Sequence, residues 1–566
     1  MVKFTIMKKF NLLYNRTKYT SICQVLVIIV LLFFTSCTKD VLDKEPLDRF
    51  SDIAVWQDEA LIKAFVNNTY RIVPLGGFTS TALMMAGVTD ECFQRGGGSD
   101  RINAGNISSS DLGALDFWTS ATSLNYYDVI TKCNLLFSKI EAAPIEETKK
   151  NLIIGEMKFL RAFAYFKLVS LHGGVPLITK PFTLDDDFNV PRNTYDECMN
   201  FVITELDEAA NLLPLDYITS EKGRITKGAA LAAKSRALLY MASPLNNPSN
   251  DLAKWQAAGD AAKAVIDLNK YALFSNYKNL FLKANSYNAE VIWSRPFNST
   301  SDPESARAER SLFPNSYGGA SQACPLQNLI DDYEMLSGKL PKDDPDYDSQ
   351  NPYVNRDPRF YASILYDGAT FQGTQVETFL PKGKDSPEGT RSPQNSSPTA
   401  YNVRKFVDEA IINPGSLPGT DPQGNSPWIF FRYAEILLNY AEAMYFLGDE
   451  VTCRQYINLV RSRPGVNMPP VTESGEALLT RLQNERRIEL AFEECRYFDV
   501  RRWKIAPVVL NIPGKRIQII KNLTTGIKTF TVVDFNPRAF FDRNYLVPIP
   551  QSEINRNALL IQNPGY

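Results

Sequence analysis

Near its C-terminal end the chain reads Asn484-Glu485-Arg486-Arg487-Ile488-Glu489-Leu490-Ala491-Phe492-Glu493-Glu494, continuing as Cys495-Arg496-Tyr497-Phe498-Asp499-Val500-Arg501-Arg502-Trp503. Charges of both signs alternate here at helical spacing, through Glu485, Arg486, Arg487, Glu489, Arg496, Asp499, Arg501 and Arg502. Such a pattern suits salt bridges between packed elements rather than catalysis. His172 is the single histidine of the chain. His-rich zinc sites and H-E-x-x-H proteases, which need more than one histidine, are therefore excluded. The charged run is read as scaffold, inside a helical stretch from Glu473 to Arg502.

Working outward, helical periodicity recurs on both sides. Leu152, Phe159, Phe163 and Phe166 step by seven, four and three, one stripe of a helix, with His172 at its C-terminal cap. Pro191-Arg192-Asn193-Thr194 opens a helix that runs to Leu213 and stops at Pro214. Ala229, Ala230, Ala232, Ala233 and Ala237 crowd the helix Thr226 to Ala242, so a partner can approach closely. Trp255 to Leu268 is predicted as its antiparallel mate. Ile429 to Leu447 and Thr452 to Arg463 form another pair. Helix pairs with small contact residues and short loops resemble tetratricopeptide units. The fold class expected is mainly α: a tetratricopeptide-like helix-pair scaffold with a loop-rich lobe.

That lobe is residues 296–427. About half of the 34 prolines fall there, among Gly, Asn, Ser and Asp. A long irregular segment in a compact fold is usually functional, and this one is too aromatic for disorder. The tail from Thr529 to Tyr566 reads as extended and proline-punctuated. At the other end, Lys3, Lys8, Lys9, Arg16 and Lys18 precede an apolar run from Ile22 to Phe34, then Phe34-Thr35-Ser36-Cys37. A basic head, a short apolar core and small residues describe a secretory signal, 1–36. A polar spacer, 37–56, follows. Removing five bases and no acid takes the formal charge from −2 to −7, which is no footprint for nucleic acid. Cys92, Cys133, Cys198, Cys324, Cys453 and Cys495 are scattered without a C-x-x-C. Pairing and burial as small apolar residues both stand open for them.

The quoted run, together with Tyr545-Leu546-Val547-Pro548-Ile549-Pro550 and Gln562-Asn563-Pro564-Gly565-Tyr566, resembles the C-terminal signature of the SusD/RagB family. These are surface nutrient-binding lipoproteins of Bacteroidetes. Phe159-Leu160-Arg161-Ala162 through Tyr165-Phe166 to Gly174-Val175-Pro176-Leu177-Ile178 is similar to the family's long helix and exit strand. Gly223 to Ala229 and Arg432 to Leu438 resemble two further helix starts. Leu42-Asp43-Lys44-Glu45-Pro46 is family-like as well, and Lys39-Asp40 resembles a surface-export tag. The Cys after Phe34-Thr35-Ser36 looks like a lipobox, which implies cleavage before Cys37 and acylation of its sulfur, an outer-membrane anchor. The resemblance divides the mature chain into a helical scaffold 57–295, the lobe 296–427, and a C-terminal helical region with tail, 428–566. It implies a non-enzymatic binder that captures an oligosaccharide, or in the RagB branch a peptide, and delivers it to a SusC-like TonB-dependent transporter. No cofactor or metal is implied. A surface glycoside hydrolase and a ligand-free structural subunit are the rivals.

Sugar recognition needs aromatic faces for the ring CH surfaces and Asn, Asp or Arg for the hydroxyls. Two irregular segments carry that mixture. One is Glu91 to Gly98 with Phe93 and Arg95, leading to Asn103 and Phe117-Trp118. The other is Arg310 to Gln322, with Phe313, Asn315 and Tyr317. Trp118 has a second reading, packing under the helix that follows. Trp293, Trp428 and Trp503 are assigned to the scaffold. Asp90-Glu91 could pair for glycoside hydrolysis, but adjacent side chains diverge in extended backbone. Asp344-x-Asp346-x-Asp348 starts like a calcium loop, yet Ser349 and Asn355 stand where Gly and Glu are required; a looser calcium site stays open there.

Overall fold

A computed structural model describes residues 52–74, 84–95, 98–119, 125–297, 308–389, 392–414 and 425–566. Cys37 and the whole signal segment lie outside the described residues. Among the described residues, 52–64 with 142–144 form one compact unit. In it, Asp58 separates the helix Asp52–Gln57 from one starting at Glu59, and its carboxylate accepts the Ala60 and Leu61 amides at 2.7 and 3.1 Å, an N-cap.

The second unit is built on consecutive helices: α1 (Tyr126–Lys139), α2 (Glu147–His172), α3 (Tyr195–Leu212), α4 (Lys227–Ala242), α5 (Leu252–Ile266), α6 (Tyr433–Phe446), α7 (Glu450–Arg461), α8 (Gly475–Glu489) and α9 (Cys495–Arg502). From α1 to α7 each packs on the next. Their starts follow from side chains. Asn125 accepts the Asp128 amide at 2.8 Å, Thr194 and Glu197 make a reciprocal capping box, and Asp251 and Asp449 cap α5 and α7. Phe159, Phe163 and Phe166 of α2 are buried, and so are the five alanines of α4. Gly259 of α5 lets α6 come close, since a Cβ there would lie 2.9 Å from Met444 Cε and 3.5 Å from Ala443 Cβ. Beside it Trp255 stacks on Phe446 with ring centroids 4.0 Å apart. Burying a side chain of that size contributes on the order of 3 kcal/mol.

The seam between α5 and α6 joins residues separated by the whole lobe. β2 (Val291–Arg295) and β4 (Trp428–Arg432) pair antiparallel with Arg295 opposite Trp428, so the chain leaves and returns side by side. Here the sequence reading is corrected. Trp428 to Arg432 begins no helix; it is a fully buried strand, and α6 starts at Tyr433. A short apolar run flanked by a helix fits either structure by periodicity alone. Trp293 stacks on Phe430 at 4.0 Å and meets Phe159 and Phe163 edge-on.

Three other expectations need correcting. The helix expected over 473–502 is two helices. Phe492 and Glu494 take φ of 67° and 65°, which turns the chain between α8 and α9. Val175–Ile178 is not a paired strand; Tyr165 Oη receives the Ile178 amide at 2.7 Å and donates to its carbonyl. The tail includes half of a hairpin, β5 (Gly514–Lys521) with β6 (Lys528–Asn536), and a helix, Gln551–Arg556. All six described cysteines are buried and free.

The charged run forms a buried ionic lattice. Glu489 receives Arg359 at 2.9 Å and Arg432 and Arg463 at 2.6 Å. Burial pushes its carboxyl pKa up, and the three guanidiniums outweigh this and hold it well below the usual range. Glu485 takes Arg359 and Arg461; Glu493 takes Arg432 at 2.7 Å and Lys405 at 2.6 Å. Arg461 also meets Glu334 at 2.8 Å. Arg359, Lys405 and Glu334 belong to the lobe, so the lattice rivets lobe to helices.

Candidate functional site

β1 (Cys92–Gln94) pairs antiparallel with β3 (Ala323–Pro325), Phe93 standing opposite Cys324. The ladder continues with the Arg95 amide donating to Gln322 O at 3.0 Å. The segment 91–95 thus pairs with residues 322–326, more than 200 positions away, which directly follow the loop 310–322. Within that loop, the turn Asn315–Tyr317 ends on Gly318 at φ 88°, and Gly319 follows with no space for a Cβ, which would stand 1.9 Å from Phe313 O. This tight turn presents Tyr317.

Tyr317 is half-buried. Its edge meets Phe371 at 4.9 Å, its Oη lies 2.7 Å from Thr374 Oγ1, and Lys384 Nζ sits 5.1 Å from the ring centre. Phe93 is half-buried too and meets Phe535 edge-on at 5.0 Å. Phe535 occupies the irregularity of β6 between Asp534 and Asn536. Arg516 stands 5.2 Å from that ring and donates to Pro398 O at 3.5 Å; Arg95 donates to Ser396 O. Partly exposed aromatic rings beside arginines and a lysine form a surface that can stack on apolar ring faces and bond hydroxyls.

Phe93, Arg95 and Tyr317 are partly exposed, Phe93 beside Phe535, Arg95 beside Ser396 and Tyr317 beside Phe371 and Thr374, while the other four predicted contacts are buried. Phe313 is fully buried against Phe371. Asn315 is 2% exposed. Asn103 is buried with its amide on Gly87 O at 2.9 Å. Trp118 is 6% exposed, wedged between Tyr127 and His172 at 5.1 Å from each, which is the packing alternative. Phe535, Arg516, Thr374 and Lys384 were missed. The hairpin signal was present, two alternating runs around Asn522 to Gly526, but only its second strand falls in the stretch from Thr529 read as extended tail.

Directly behind β1 lie the two carboxylates weighed for catalysis. Asp90 accepts two bonds from Arg496 at 2.8 and 2.9 Å and another from Arg487. Burial raises its pKa, and Arg487 and Arg496 more than reverse this, leaving it well below the usual range. Glu91 is 1% exposed; burial pushes it up to about 7, and its Oε1 accepts the Phe492 amide at 3.2 Å. Both are committed to the scaffold junction. His172 is buried at the end of α2, driven down to about 4 by desolvation, with Nδ1 3.2 Å from Val547 O. It is therefore a neutral packed ring, and Gly173, at φ 74°, does the capping. Among the described residues no group of three or more His, Cys, Asp or Glu could hold a metal. Asp344 and Asp348 instead cap local turns, accepting the Asp346 and Gln350 amides. No described helix is long and apolar enough to cross a membrane.

A stack of helix pairs that carries a strand-necked lobe and a loop-built face defines a tetratricopeptide-like scaffold protein. A family profile described as the SusD family matches residues 289–566, and one described as starch-binding, associating with outer membrane, matches residues 42–239. The chain belongs to the SusD/RagB family. A solved SusD-like protein from Bacteroides fragilis is 32% identical, covering 92% of this chain and 100% of that one, with a TM-score of 0.76. A SusD-like carbohydrate-binding protein from the same organism is 28% identical over 90% of this chain and all of its own, also at 0.76. SusD-like protein P25 of Formosa agariphila is 24% identical over 81% of this chain and 82% of its own.

Proposed function

We propose that this protein binds an oligosaccharide at the face around Phe93, Arg95, Tyr317, Arg516 and Phe535, and passes it to a SusC-like TonB-dependent transporter. The observation that supports the reading is the partly exposed group of Phe93, Arg95, Phe535 and Arg516 beside β1, whose partner strand β3 directly follows the loop carrying Tyr317. The solved relative described as carbohydrate-binding supports the ligand class. Anchoring through acylated Cys37 would hold the protein at the outer membrane, in keeping with the second family description. The role is capture without hydrolysis, since Asp90 and Glu91 are buried and engaged.

The test is calorimetry of the purified protein against a panel of oligosaccharides and peptides, with product analysis of each mixture. Oligosaccharide binding with unchanged sugar is expected. Binding of peptides alone, or sugar turnover lost on substituting Asp90 or Glu91, would overturn the reading. Co-purification with a TonB-dependent barrel from membranes tests the delivery step.

A further inference from the structure

Six arginines stand in α8 and α9, and five of them meet an acid. Arg481 meets Glu334 and Glu473. Arg486 meets Asp499, Arg487 and Arg496 meet Asp90, and Arg502 meets Glu442 and Asp499. Arg501 does not. It is 6% exposed, and among the described residues no carboxylate reaches it. Its Nε donates to Asn544 O at 3.2 Å and its Nη1 to Tyr497 O at 2.9 Å, while Nη2 has no hydrogen-bond partner among the described residues. A guanidinium offers five N–H donors, so most of this one's capacity is unused. A buried cation without a counter-charge is costly.

Arg501 lines a cavity of about 590 Å³, within the range of small-molecule sites. The cavity lies between the ends of α2, α4 and α9, the start of α3 and the C-terminal tail, on elements other than those of the β1–β3 face. Its wall is predominantly apolar, with Tyr240, Phe498 and Tyr545 supplying rings. Arg192 and Arg543 also line it and bond to backbone carbonyls or an amide oxygen, and among the described residues no carboxylate pairs with either. Asp542 is the one acid in the wall, and it is exposed. Positive charge thus surrounds an aromatic hollow.

We propose that this cavity is a second binding site, for a small organic acid whose carboxylate seats on Arg501 and whose aromatic or aliphatic body packs on Tyr240, Phe498 and Tyr545. A carboxylate would accept the spare guanidinium donors, a charge-assisted contact about twice as strong as a neutral one. The inference stands apart from the oligosaccharide reading and does not need it.

The test is calorimetry on the full-length protein in detergent with N-acetylphenylalanine, 3-phenylpropionate and hexanoate, each against its neutral amide. At least one acid should bind roughly tenfold or more tightly than its amide. Arg501→Gln should erase that preference. Ser170→Phe, which fills the cavity and leaves Arg501 in place, should abolish acid binding with a melting temperature close to the parent's. Tyr317→Ala should leave it unchanged. The proposal is overturned if acids and amides bind alike, if no acid binds, if Ser170→Phe binds as the parent does, or if Tyr317→Ala removes the binding. Should Arg501→Gln fail to fold, the acid–amide comparison and Ser170→Phe decide.

Discussion

Glu489 of α8 holds the neck arginine, Arg432, at 2.6 Å in a place that no solvent reaches. The same Arg432 nitrogen takes Glu290 at 2.7 Å, so one guanidinium ties the C-terminal signature to both sides of the lobe's neck.

Breaking that knot should be costly. Removing one partner of a buried ion pair and leaving the other uncompensated costs about 3–5 kcal/mol; here three arginines would each lose one carboxylate and keep another. Glu489→Gln is expected to lower stability by up to about 3–5 kcal/mol in urea melts. A loss below about 1 kcal/mol would show the lattice to be slack.

Tyr317 and Trp118 should separate cleanly. Tyr317→Ala removes a partly exposed ring and should weaken oligosaccharide binding by roughly 5- to 150-fold, or about 1–3 kcal/mol, with the melting temperature nearly unchanged. Trp118→Ala empties a packed position and should cost about 3–5 kcal/mol of stability with affinity retained below its melt. Calorimetry beside thermal melts on both variants checks this.

Glu91 gives a pH signature. Burial raises its folded pKa to about 7 from an ordinary 4.5. Between those values the unfolded chain has released the proton and the folded one keeps it, so stability falls as pH rises through that window. Glu91→Gln should therefore melt higher than the parent at pH 8, by up to about 3 kcal/mol, with that advantage gone at pH 4. His172 has the opposite sign. With its folded pKa near 4, its contribution is complete above about 6.5 and is lost as pH falls from there toward 4.

The anchor is tested at Cys37. Cys37→Ala should take up no labelled palmitate and leave the membrane fraction. Continued acylation and membrane retention would exclude the lipobox.

The helix pairs were legible because their signals are local: apolar stripes, the Thr194–Glu197 box, the alanines of α4. Ion pairing was legible in kind, yet the partners of Glu489 lie at positions 359, 432 and 463, and no local pattern carries that information. Trp428 to Phe431 misled because a buried strand and a buried helix share the same apolar composition. Phe313 and Trp118 misled for a related reason. Irregular loops look exposed in sequence, but a large ring in a loop can be what holds the loop down. Tyr317 differs from Phe313 only in standing past Pro314, on the outward side of a turn set by Gly318 and Gly319.

The strand neck also gives the molecule a property of design. Arg295 and Trp428 are paired neighbours, about 5 Å apart, so the chain enters and leaves the segment between them at one place. Doubling the length of such a loop costs only about 0.6 kcal/mol in closure entropy. The segment 296–427 can therefore behave as a cassette, exchanged for another of different length and specificity while α5 and α6 stay in register. Any graft would have to bring its own equivalents of Arg359, Lys405 and Glu334, because the socket left behind by their removal would be a cluster of unneutralised charge.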